Sequence, residues 1–203
     1  MKKAFLLLLL ITVITAATTG HAAGDPALEA LETLRRGFAG TTDFTAEITQ
    51  EKQLALMKHR MFSKGSIKFR KPDTFFMELY PPHPSRLLLK NNVMTIRFPD
   101  QGTTDRVVLP PEEGLTKWFS YLDKPLTKLP DGVDVKAERQ GKFWLLHLFP
   151  KAKGGVKLLT LRFDQEGTIS RIFIEERNKD RTTLSFDKLR RNVGLQDKDF
   201  MVE

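Results

Sequence analysis

From Phe44 onward the chain is written in short runs of alternating apolar and polar residues, each closed by a turn signal. This pattern constrains the fold more than any other feature. Phe44, Ala46 and Ile48 alternate with Thr45, Glu47 and Thr49. Further runs follow at Ser66–Arg70, Phe75–Tyr80, Arg86–Lys90 and Val93–Phe98, then at Val133–Glu138, Phe143–Phe149, Lys157–Phe163, Ile169–Glu175 and Thr182–Leu189. Side chains repeat every second residue along a strand, so each run presents one apolar face. The separators are Lys71-Pro72-Asp73, Pro81-Pro82, Asn91-Asn92, Gln140-Gly141, Lys153-Gly154-Gly155, Gln165-Glu166-Gly167 and Asn178-Lys179-Asp180, all turn formers. Asn91-Asn92 tolerates the positive φ of a two-residue hairpin, so its flanking runs are expected to pair directly. The count is about ten strands without βαβ alternation, which predicts an antiparallel sheet in an α+β, mainly β domain.

Two stretches carry a helical period instead. Asp25-Pro26 supplies a cap and a first-turn proline, and Leu28, Leu31, Leu34 and Phe38 then recur at three- and four-residue steps. Glu29 and Glu32 lie early and Arg35 and Arg36 late, in keeping with the helix dipole. Gly37 or Gly40 is expected to end this helix. Between Pro110-Pro111 and Pro125, Leu115, Trp118, Phe119 and Leu122 predict one or two short helices.

Before Asp25 the chain reads as a processing signal. Met1-Lys2-Lys3 is basic, Phe5–Ile14 is almost wholly apolar but too short to span a bilayer, and Gly20-His21-Ala22 places small residues where signal peptidase reads them. Cleavage is expected after Ala22, with Ala23 as the other site, leaving residues 23–203 as one domain exported to the periplasm. That mature chain would hold 31 basic and 25 acidic residues, a net charge of +6. The basic residues are mixed with acids over strand faces, and no aromatic-basic ribonucleoprotein motif is present, so nucleic acid is not an expected partner. With no cysteine there is no disulfide, thiol nucleophile or lipid-modified N-terminal Cys.

Catalytic groups are sparse. His59, His83 and His147 have no carboxylate or His at metal-ligand spacing, and Ser85 and Ser120 lack a nucleophile-elbow context. Glu175 and Glu176 are strand neighbours and face opposite ways. The expectation is a protein that is not an enzyme and uses neither metal nor cofactor. Apolar residues stand out instead: 15 Phe against two Tyr and two Trp, with Ile67, Phe69, Phe75, Met77, Leu79, Leu88, Met94 and Ile96 along the strand runs. Periodicity alone reads these as an ordinary core plugged by the helices. It does not separate a filled core from an apolar cavity.

Taken in order, the motifs resemble the LolA-type periplasmic lipoprotein carriers. The similarity runs through Phe44-Thr45-Ala46-Glu47-Ile48-Thr49-Gln50, then Gly65-Ser66-Ile67-Lys68-Phe69-Arg70-Lys71-Pro72-Asp73-Thr74-Phe75 and Leu79-Tyr80-Pro81-Pro82. It continues at Leu148-Phe149-Pro150-Lys151, at Leu161–Ile169, and at Leu184-Ser185-Phe186, Asn192, Leu195 and Asp199-Phe200. The chain departs from the family at Lys71, where an arginine linked to lid closure and transfer is usual, at Asn91-Asn92 in place of Asp-Gly, and at Met77 in place of a frequent Trp. Lysine keeps the charge but loses the planar, multi-donor head.

The resemblance implies an unclosed, curved antiparallel barrel with short helices covering a concave apolar face. It implies a monomer that takes acylated lipoproteins from an inner-membrane lipoprotein-releasing ABC transporter complex to an outer-membrane lipoprotein acceptor. Phe69, Phe75, Met77, Leu79, Leu88 and Ile96 are the expected acyl-chain lining, Trp118, Phe119 and Leu122 the lid, and Lys71 the group that holds lid carbonyls or the cargo's polar linkage. A carrier of another envelope lipid, such as a glycolipid or polyprenyl lipid, and a non-catalytic envelope sensor are the alternatives.

Overall fold

A computed structural model describes residues 25–57, 59–109, 124–151 and 155–202. The first helix, α1, spans Pro26–Phe38. It begins where the sequence predicts: the Ala27 N–H donates to Asp25 Oδ1 at 2.9 Å, and proline occupies the first turn. It ends one residue beyond Gly37, with Gly40 at φ +71° just outside.

Eleven strands follow, one more than the alternation predicts: β1 (Asp43–Gln53), β2 (Arg60–Arg70), β3 (Thr74–Leu79), β4 (Ser85–Lys90), β5 (Val93–Phe98), β6 (Thr103–Val108), β7 (Val133–Gln140), β8 (Phe143–Pro150), β9 (Val156–Asp164), β10 (Ile169–Glu176) and β11 (Arg181–Arg191). The additional strand is β6, an edge strand whose six residues are all exposed. No apolar face is required there, so no alternation marks it. The stretch expected to be helical falls mainly on 110–123, outside the described residues, and Lys124–Leu126 is not helical.

All strands form one antiparallel sheet in the order β6-β5-β4-β3-β2-β1-β11-β10-β9-β8-β7. It is therefore two local meanders, β1–β6 and β7–β11, joined where β1 pairs with β11. The outermost strands, β6 and β7, do not pair with each other among the described residues, so the barrel is open as expected. Asn91 and Asn92 take φ of +51° and +60°, and Lys90 pairs with Val93 across them. This is the two-residue hairpin that the paired asparagines predict.

The core lies on one face, called here the inner face. Helix α1 lies against β7 and β8, and Leu31, Leu34 and Phe38 are buried with Trp144, Leu146, Leu148, Leu161 and Phe163. A salt bridge at 2.6 Å joins Glu29 to Arg139 of β7. The helix is seated by a close backbone approach. A Cβ on Gly37 would stand 2.5 Å from the Glu166 oxygen, and one on Gly167 would stand 2.6 Å from the Thr33 oxygen.

The opposite, outer face is crossed by residues 192–202. Arg70 forms an ion pair with Asp197 and lies 5.1 Å over the Phe200 ring, and Lys68 Nζ donates to the Asp199 oxygen at 2.9 Å. The root of this segment is Asp43, which is buried. Its Oδ1 accepts the N–H groups of Val193 at 2.7 Å and Gly194 at 3.2 Å. Asp43→Ala would leave those donors unpaired and is expected to cost about 2–3 kcal/mol. Urea unfolding checks this, together with amide exchange at Val193 and Gly194. A midpoint equal to that of the unaltered protein would remove Asp43 as the anchor.

Candidate functional site: the inner face of β3–β5

Strand register decides which side chains share a face. In β2 and β3, Phe69 pairs with Phe75, Ile67 with Met77 and Gly65 with Leu79. The next pairings are Phe75 with Leu89 and Met77 with Leu87, and then Leu89 with Met94 and Leu87 with Ile96. These rows form a continuous apolar surface across β2–β5, on the same face as Phe44 and Ile48 of β1.

Five of the six expected sheet residues lie together on this surface: Phe69, Phe75, Met77, Leu79 and Ile96. Leu88 does not. It pairs with Phe76 and Thr95, on the outer face, so its place in the lining is corrected to Leu87 and Leu89. Three consecutive leucines hide the alternation in this strand. The hairpin resolves it, because a two-residue turn at Asn91-Asn92 pairs Ile96 with Leu87, and directly paired residues point to one side. Leu87, Leu89 and Phe98 are the members that the sequence reading passed over; Met94 was on its apolar face but not among its site residues.

Burial falls away from the middle of the sheet toward the β6 edge. Phe69 is 1% exposed, its ring centroid 5.2 Å from that of Phe44, and Leu79 is also buried. Both are core. Phe75, Met77, Leu87, Leu89, Met94, Ile96 and Phe98 are only half-buried. The two halves of the inner face thus differ. The β7–β9 half is filled by α1, with Leu146 and Phe163 at 0% exposure, whereas the β3–β5 half keeps apolar surface that the described core does not fill. Surface of this kind, lined by unbranched Met and by aromatic rings, suits flexible hydrocarbon more than a rigid polar ligand.

The segment leading into β7 is held to α1 and the core. Leu126 and Leu129 pack against the core, and the Leu126 N–H donates to Glu32 Oε2 of α1 at 3.2 Å. The same carboxylate bonds Arg35 at 2.7 and 2.8 Å. These contacts hold the Glu32 carboxyl below its ordinary pKa: the Arg35 hydrogen bond leads, partial burial opposes it, and the Leu126 N–H adds to it. Trp118, Phe119 and Leu122, the expected lid, lie outside the described residues.

Lys71 sits in the β2–β3 turn, half-buried, and its N–H donates to the Thr42 oxygen at 2.8 Å. The neighbouring Asp73 carboxylate accepts the Asn91 N–H at 3.1 Å, which ties this turn to the β4–β5 hairpin. His147 is on the outer face of β8, with Nδ1 2.9 Å from Thr160 Oγ1. No group of three His, Cys, Asp or Glu suited to a metal occurs among the described residues.

An open antiparallel barrel with an apolar inner face is the architecture of lipid- and lipoprotein-binding, carrier-like modules of the bacterial envelope. The chain belongs to the family of the outer membrane lipoprotein carrier protein LolA, whose model matches residues 39–203. Members of that family are binding or carrier proteins rather than enzymes. Among solved structures it is similar to a DUF1329 family protein from Desulfovibrio piger, at 11% identity, covering 87% of this chain and 98% of that one with a TM-score of 0.50. It is also similar to a LolA superfamily protein from Nitrosomonas europaea, at 11% identity, 87% and 97% coverage and a TM-score of 0.46. The lipoprotein LppX from Mycobacterium tuberculosis shares 14% identity, with 85% and 98% coverage and a TM-score of 0.41. At 11% identity the first of these likenesses speaks to the fold alone. No curated protein matches.

Proposed function

We propose that this chain is a periplasmic carrier that shelters the acyl chains of lipoproteins on the inner face of β3–β5 and moves them from the inner to the outer membrane. The observation that carries the reading is the asymmetry of that face. One half is filled by α1, and the other keeps half-buried Phe75, Met77, Leu87, Leu89, Met94 and Ile96. Each CH₂ of an acyl chain costs about 0.8 kcal/mol in water, so several chains could not cross an aqueous compartment unaided. Apolar shelter removes that cost without a chemical step, and a partly covered one keeps binding reversible. The protein needs no cofactor and acts as a monomer. It receives cargo from an inner-membrane lipoprotein-releasing ABC transporter complex and passes it to an outer-membrane acceptor. Its leader, residues 1–22, is removed on export.

Trp118, Phe119 and Leu122 serve as the lid in this reading, and Lys71 holds lid carbonyls or the cargo's polar linkage. Lys71→Leu is then expected to keep cargo binding and to slow hand-off. Outer-membrane delivery in cells at the normal rate would refute that role. The reading as a whole is tested by purifying the native protein from the periplasm and identifying by mass spectrometry what accompanies it. Lipoproteins with intact acyl chains are expected. A glycolipid or polyprenyl lipid in their place would keep the binding face and change the cargo, and the absence of any lipid would overturn the carrier.

A further inference from the structure

The β1–β2 hairpin carries a second apolar surface, separate from the inner face. β3 pairs with β2 only from Gly65 onward, and β11 pairs with β1 only as far as Gln53. The turn after Gln53 is therefore flanked by no neighbouring strand. Its large apolar side chains lie in solvent: Leu56 is 100% exposed and Met57 53%, while Phe62, on the outer face of β2, is 58% exposed. No packing explains them.

Within the hairpin segment itself the charge has one sign. Residues 52–64 contain Lys52, Lys58, Arg60 and Lys64, together with His59, and no acid. Beside the hairpin, on the outer face, a shallow cleft of about 350 Å³ is bordered by Glu51, Arg60, Phe62, Arg171, Phe173 and Arg181. Arg60 pairs with Glu51 at 2.6 Å, and Arg181 stands 3.6 Å from Glu175. Arg171 is exposed and has no ion-pair or hydrogen-bond partner among the described residues. The adjoining β10–β11 turn adds Arg177 and Lys179, against Glu176 and Asp180. Its Asp180 is engaged by the Ala55 N–H at 2.8 Å, which fixes the two turns together.

We propose that this hairpin docks the protein on the surface of a bilayer containing anionic phospholipid. Leu56 and Met57 enter the acyl boundary, and Lys52, Arg60 and Arg171, set back from the tip, lie at the level of the phosphates. The arrangement favours a bilayer over a folded partner, because the apolar residues are at the tip of a projection and the cations stand behind them. A membrane surface is layered in the matching order, headgroups outside and hydrocarbon within. The inference goes beyond the carrier reading and does not depend on it.

The test is sedimentation of the chain beginning at Ala23, free of cargo, with vesicles of phosphatidylglycerol and phosphatidylcholine in equal parts. Binding is expected, and it should weaken as salt is raised to about 1 M, where the screening length falls to about 3 Å. Leu56→Asp with Met57→Asp should lower partitioning about tenfold or more, with no change in melting temperature because both side chains are exposed. Leu56→Ser alone, a milder change, should lower it in the same direction. Val108→Asp, at an exposed apolar residue on the β6 edge, should bind vesicles as the unaltered protein does. Four results would each overturn the docking: no sedimentation, equal sedimentation of the tip variants, equal binding to pure phosphatidylcholine, or loss of binding in Val108→Asp. Because the protein is cargo-free, the first three leave the carrier reading standing.

Discussion

Phe75→Glu is expected to yield a folded protein that emerges from the periplasm empty. Phe75 is half-buried on the inner face, between Phe69 of β2 and Leu89 of β4. In the cargo-free protein its carboxylate can stay hydrated, so the loss of stability is held to about 1–3 kcal/mol of lost packing. When hydrocarbon covers the site, that charge must give up water with no partner to compensate it, at a cost of several kcal/mol. Since about 1.4 kcal/mol is tenfold in binding, recovery of lipoprotein should fall by a hundredfold or more. Leu88→Glu is the matched control. It is three residues from the Asn91-Asn92 turn yet on the outer face, and it should leave cargo recovery unchanged. If Phe75→Glu retains its cargo, or if Leu88→Glu loses it, the inner face of β3–β5 is not the binding surface.

The largest effect on stability is expected at Gly167→Val. Gly167 lies in the β9–β10 turn at φ +74°, where a β-branched residue is strained by about 1–3 kcal/mol. A Cβ there would also stand 2.6 Å from the Thr33 oxygen and 2.8 Å from Gly37 Cα, both backbone atoms that cannot swing aside. Helix α1 would have to lift from β7 and β8. The combined loss is expected to reach about 3–5 kcal/mol, a large part of the 5–15 kcal/mol typical of a domain. For a chain of this length that corresponds to a fall of roughly 10 °C in Tm. Gly141→Ala isolates the backbone contribution, since Gly141 has φ +61° but nothing within 4 Å of its would-be Cβ. It should cost about 1 kcal/mol. Equal melting temperatures for Gly167→Val and Gly141→Ala would show that the helix–turn approach contributes nothing.

Much of this architecture can be read from residue order, for physical reasons that also mark where reading stops. The strands with one buried face announce themselves by period two, and Asp25-Pro26 and Asn91-Asn92 punctuate as their backbone chemistry requires. Strand β6 is silent because nothing in it is buried. The site divides in the same way. Phe75, Met77 and Ile96 are legible because their polar neighbours alternate with them, whereas Leu87-Leu88-Leu89 offers the same residue to both faces and only pairing tells them apart. Phe69 and Leu79 show a different limit. Their pattern matches that of the half-buried residues, but how much of each is covered depends on α1 and on strands distant in sequence. The exposure of Leu56 and Met57 leaves no mark in the sequence, because an apolar pair between two strands looks like the start of another run.

The pairing of β1 with β11 has a consequence for the export proposed above. The first and last strands meet in the middle of the sheet, so the seam closes a loop of more than a hundred residues that no local hairpin shortens. A chain threaded through a translocation pore from its N-terminus would present β1 with one unpaired edge until the final strand emerged. During that interval the incomplete sheet would be open to pairing with other chains, which makes the last step of export also the step that protects the molecule from aggregation.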